Sequence, residues 1–193
     1  CAPPPRPRRA NAIAEAPQGY MVVRRERFFS AHHMMLHVAR RSLYAARALS
    51  GSDSSEIMVV IVMCASAVEA LANALGVRLI KQWSDFDKLT PYAKLRLGFA
   101  EMGVKIERGR EPWQSVNWLA RLRNDIVHGK AETVSELQRI DIFQWTPQKE
   151  VLLRLTDWPR SKLEGDLSLD SAERAVETFD ALLKEAITYL PKE

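Results

Sequence analysis

Cysteine is scarce in this chain, with two in 193 residues, Cys1 and Cys64. Two such residues do not make a disulfide framework, and Cys64, inside an apolar helical pattern, reads as a small core residue. Long apolar runs are also missing. The longest, 57–68, stops at Glu69 and is too short to span a bilayer. No signal-peptide pattern is visible. A chain starting at Cys1 rather than Met reads as a fragment or a processed product. The expectation is a soluble, cytoplasmic protein with no membrane partner. There is no phosphate-cradling glycine loop, which disfavours P-loop nucleotide hydrolysis. The serines show no nucleophile-elbow pattern. No internal repeat is present. Charge of one sign is not in large excess: the net charge is +4 and the isoelectric point about 9.2, which permits nucleic-acid binding without demanding it.

What is present is enough apolar material, 47% of residues, for a core in a single domain. Residues 1–18 are rich in proline and arginine and read as a disordered tail; 19–193 read as one helical domain. Apolar periodicity predicts helices over 22–49, 56–81, 92–102 and 112–129, and a last one opening on a capping box at Asp170–Glu173 and ending near Leu190 before Pro191. Thr90 and Pro91 are placed as cap and first helical residue of the third helix. The helix over 56–81 is nearly all apolar and reads as the buried central one. Residues 140–145 and 151–155, with Pro147 between, are a candidate short β-hairpin ahead of the last helix. The fold class is therefore all-α, a bundle of about five helices. The five tryptophans are scattered and read as packing residues.

His32, His33 and His37 crowd the first helix, but no Cys and no suitably placed acid joins them, so no metal site is assigned. The helix over 112–129 carries more chemistry. Pro112 suits its first turn and Gly129 its C′ position. Val116, Leu119, Ala120, Leu122, Ile126 and Val127 form a broad apolar arc. Asn117, Arg121, Asn124 and His128 form a polar stripe opposite. Arg123 interrupts the apolar arc, where an unpaired charge is costly. It is either in a structural ion pair or a phosphate-binding fork. Ser66, Glu69 and Asn73 form a polar seam on the central helix, and Glu69 is the candidate structural partner of Arg123. His128 ends its helix one turn after Asn124, which is placed to orient it, and is either a cap or a proton-transfer group. Arg123 and His128 point about 140° apart on one helix, so a single chain does not obviously make a compact site.

The run Arg121-Leu122-Arg123-Asn124-Asp125-Ile126-Val127-His128-Gly129-Lys130 resembles the Arg-x4-6-His signature of the HEPN superfamily, small all-α domains of which many are ribonucleases. The segment Ala67 to Leu75 also resembles the helix that precedes this motif, and the likeness extends over 56–130 and loosely to the last helix. The resemblance implies a HEPN-like bundle and a homodimer whose two motif helices share a cleft. It implies a metal-independent endoribonuclease of toxin or phage-defence type, with no cofactor and with an antitoxin protein as a possible partner. Arg123, Asn124 and His128 would be catalytic, and Arg121 and Lys130 would hold the RNA. The alternative is a non-catalytic HEPN-like interaction or RNA-binding module.

Overall fold

The computed structural model describes residues 30–49, 54–130, 133–135 and 160–191. The tail 1–18, the candidate hairpin at 140–155 and the first turns of the helix expected from 22 lie outside the described residues. Within them the protein is all-helical. The long helices are α1 (Ala31–Ala48), α2 (Ser54–Leu79), α3 (Pro91–Glu101), α4 (Trp113–His128) and α6 (Leu169–Tyr189); a five-residue α5 (Lys162–Asp166) precedes α6, and Trp83–Phe86 form a 3₁₀ turn.

Local signals explain most of the boundaries. Thr90 accepts from the Ala93 N–H, and Pro91 follows at the first helical position, as expected. Gly103, with φ +76°, closes α3: its N–H donates to the Ala100 carbonyl and that of Val104 to the Phe99 carbonyl, the paired bonds of a Schellman end. The capping of the last helix differs from expectation. Its cap is Ser168, which accepts from the Ser171 N–H, while the reciprocal capping box is Ser161 with Glu164 on α5. Ser168 wins because the chain turns out of α5 there, leaving Asp170 already inside the first turn of α6.

The central helix is α2, packed against α1, α3, α4 and α6. It is long and apolar enough to cross a membrane by length and composition, longer than its leading apolar run indicates, because the helix continues past Glu69. Here its apolar surface meets four other helices. Ile57, Val60, Ile61, Cys64, Ala67, Leu71, Ala72 and Leu75 are buried, and Leu95, Phe99, Leu119, Phe179 and Leu182 close over them. Each large side chain removed from water stabilises the fold by about 1.5–3 kcal/mol. Gly76 is required by contact: a Cβ there would lie 2.2 Å from the buried Trp83 ring. Cys64 sits at the centre with its thiol pushed up to about 12, first by burial and then by nearby Asp180, so it stays protonated and inert. Arg40–Asp180 and Arg47–Glu173 bridge α1 to α6 at 2.7 Å each, on the surface, where such pairs contribute at most about 1 kcal/mol.

The histidines of α1 separate. His33 and His37 are exposed, whereas His32 is buried, with the Ser30 Oγ 3.0 Å from its Nδ1 and the Phe179 ring 6.3 Å away. Burial, helped by the adjacent His33, pushes the His32 imidazole down to about 4. Between about pH 6.5 and 4 the unfolded chain therefore binds a proton at this site that the folded chain does not. The stabilisation is complete above this window and is lost as pH falls through it. Urea unfolding should show a drop on the order of 2 kcal/mol from pH 6.5 to 4. In His32→Gln that part of the slope should vanish. An unchanged slope in the variant would place the titrating group elsewhere.

Candidate functional site

The N-terminal half of α4 is anchored on several sides. Pro112 occupies its cap position without a side-chain cap, and the Glu111 carboxylate substitutes: Oε2 accepts from the Ser115 N–H at 3.2 Å and Oε1 from the Ser115 hydroxyl at 2.9 Å. A carboxylate there also complements the helix dipole. Arg174 of α6 donates to the Ser115 hydroxyl at 3.2 Å and lies 4.3 Å from the centre of the Trp118 ring. Trp113 meets Phe99 edge to face at 4.6 Å. Trp113, Val116, Leu119 and Leu122 are buried against α2, α3 and α6.

The C-terminal half is different. Arg121, Asn124, Asp125, Val127, His128, Gly129 and Lys130 are exposed, and Arg123 and Ile126 are half-buried. The fully buried core ends before the helix does, and among the described residues α5 with its Leu163 reaches this end. Val127, expected in the apolar arc, is therefore 49% exposed. Gly129 also departs from expectation. Its φ is −52°, outside the left-handed region, so it is not a left-handed helix end. What favours glycine there is proximity, since a Cβ would stand 2.7 Å from the Asp125 carbonyl oxygen.

The five motif residues thus share one end of one helix, and their mutual contacts differ from those anticipated. Arg123 Nη1 donates to Asn124 Oδ1 at 3.1 Å. Asn124 accordingly holds Arg123 rather than orienting His128, and His128 has no hydrogen bond among the described residues. Glu69 is not the partner of Arg123. Its carboxylate lies 3.6 Å from the Nζ of Lys94 on α3; the Glu69 side chain is 43% exposed and that of Lys94 3%. The expected pairing fails because Glu69 is turned toward α3 and its Lys94, not toward α4. The rest of the seam is divided: Ser66 donates back to the Val62 carbonyl at 2.8 Å, and Asn73 Oδ1 is buried without a partner. Among the described residues Arg123 faces no carboxylate within ion-pair distance.

Two contributors escaped the sequence reading. Lys94 sits among apolar neighbours of α3, and a lysine flanked by Ala93 and Leu95 on a packed helix was the available signal. The Arg174–Ser115–Glu111 chain joins residues 63 positions apart and had no local signal. The chain matches no protein-family model, no curated protein and no solved structure.

The Glu69–Lys94 pair makes an asymmetric prediction. Glu69→Ala strands a buried ammonium and should destabilise the fold by about 1–3 kcal/mol, below the figure for a fully buried pair because Glu69 is partly solvated. Adding Lys94→Met to it should recover much of the loss. Urea denaturation of both variants measures this, and a double variant no more stable than Glu69→Ala would refute the pairing as a stabilising contact.

Proposed function

We propose that this chain is a metal-independent endoribonuclease of toxin or phage-defence type, HEPN-like and homodimeric, acting on RNA in the cytoplasm without a cofactor. The observation that carries the reading is the exposed C-terminal end of α4. There Arg121, Asn124, His128 and Lys130 are all accessible, and the Arg123 guanidinium is held by an amide and not neutralised by an acid among the described residues. A half-buried arginine of this kind has the planar fork that suits phosphate oxygens. It supports the phosphate-binding alternative over the structural ion pair.

The chemistry is transesterification. The RNA 2′-oxygen attacks the adjacent phosphorus, the bond from phosphorus to the 5′-oxygen breaks, and a 2′,3′-cyclic phosphate and a 5′-hydroxyl remain. His128 moves the proton from the 2′-hydroxyl to the departing 5′-oxygen. Arg123, steadied by Asn124, stabilises the charge that grows on the phosphate oxygens. Arg121 and Lys130 hold the flanking backbone. Arg123 and His128 diverge on one helix, so the reading includes a second copy of α4 across a two-fold axis. Exposed Val127, with half-buried Ala120 and Ile126 nearby, is the apolar surface such a copy would cover.

One observation favours a second reading. His128 has no hydrogen bond to a group that would fix its ring, as a catalytic histidine requires. A non-catalytic RNA-binding or interaction module, engaging an antitoxin protein or RNA through the same basic helix end, accommodates that.

The test is cleavage of RNA by purified protein in EDTA, with light scattering to establish the dimer. His128→Ala should lose about 10²- to 10⁴-fold in rate while stability changes by less than about 0.5 kcal/mol, because the side chain is exposed and unbonded. Arg123→Lys should also fail, since the ammonium keeps the charge and loses the fork. DNA should resist for want of a 2′-hydroxyl. Cleavage by His128→Ala at the wild-type rate, or loss of cleavage in EDTA, rules the mechanism out. A wild-type protein that binds RNA without cutting it establishes the module.

A further inference from the structure

A cavity of about 190 Å³ lies beside α3, lined by no residue of the motif. Tyr92, Arg96 and Ala100 present one stripe of that helix, at every fourth residue, and the segment 104–108 returns over them with Val104, Lys105, Ile106 and Arg108. Three cations line the space and no carboxylate does. Neither Arg96 nor Lys105 has an ion-pair partner among the described residues. Arg108 is held with its guanidinium carbon 5.4 Å from the centre of the Tyr92 ring. The Tyr92 hydroxyl is buried and has no hydrogen-bond partner among the described residues.

We infer that this cavity is a binding site for a phosphate group. Like charges gathered without a counter-ion repel one another, and a bound anion relieves the repulsion. A buried hydroxyl left unpartnered is destabilising, and an oxyanion is an acceptor for it. Two guanidinium forks and an ammonium match the donors that phosphate oxygens take. The volume is below the roughly 300 Å³ at which whole small-molecule sites begin, and suits a phosphate group. Its lining comes from α3 and the segment after it, and includes no residue of α4, which carries Arg123 and His128. The site is thus separate from the motif, and its occupancy does not depend on cleavage.

The phosphate comes either from a free ion or from a nucleic-acid backbone, and titration distinguishes the two. Inorganic phosphate and, separately, an uncleavable 2′-O-methyl oligoribonucleotide are titrated into the full chain at low salt, with the arginine side-chain N–H signals followed by NMR. Arg96→Gln and Arg108→Gln should each weaken binding by about tenfold or more, as expected for loss of a charge-assisted bond. Tyr92→Phe, which keeps the ring, should weaken it about threefold or more. Lys184→Gln, on the exposed side of α6, should leave it unchanged. Response to inorganic phosphate identifies a free-ion site; response to the oligoribonucleotide alone, with the same dependence on Arg96, identifies a backbone site. Failure of both to bind at millimolar concentration, or equal binding by wild type and the three cavity variants, overturns the inference. Arg123 and His128 are intact in every variant, so RNA cleavage measured on the same samples reports separately on the ribonuclease reading.

Discussion

The apolar surface of α2 is what the rest of the fold is built to cover. A helix of 26 residues with a mean hydropathy of 2.1 over its most apolar window exposes a large apolar area if left bare. The other long helices supply the enclosure, the small residues Ala67 and Ala72 let them approach closely, and Gly76 admits the Trp83 ring. The placement of α4 is a consequence. Its fully buried residues end at Leu122, and in the turns that follow Ile126 alone among the apolar side chains still packs against the core.

That difference along its length gives α4 two characters. Its first half is tied by Glu111, Ser115, Arg174 and the edge-to-face contact of Trp113 with Phe99, and it supplies the rigid base that a functional group needs. Its second half carries a polar array that the core does not consume. The half-burial of Arg123 follows from the geometry: the residue lies on the core-facing side of the helix, but at a level where the core has thinned. It keeps its charge close to the protein surface and shares it with the Asn124 amide instead of an acid.

Charge placement repeats the theme of partial enclosure. Lys94 is buried but reaches a carboxylate that is itself half in water, so neither partner is isolated in an apolar interior. His32 is buried and carries the opposite solution, neutrality, because burial disfavours its charge, His33 adds to that, and none of its partners among the described residues is an acid. Arg96, Lys105 and Arg108 show neither solution among the described residues, and one cavity gathers all three.

The helices were legible in the sequence because periodicity and caps are local. The spacing in α2 and α4, Thr90-Pro91 before α3 and Pro191 after α6 each act within one or two turns. The all-α class and the central position of α2 follow from them. The location of Arg123, Asn124 and His128 on the last turns of one helix was equally legible, since a helix fixes neighbours by counting. What the sequence could not decide was which helix face meets which. Glu69 was matched to Arg123 on chemistry, yet the rotation of α2 in the bundle gives it to Lys94. Val127 looked like core from its phase alone, but burial also depends on how far the neighbouring helices extend. The Asn124 amide could equally have turned to Arg123 or His128, and the side-chain geometry chose the former. Pairings between helices are set by packing over the whole core, whose contacts join residues far apart in the chain, and no local pattern records them.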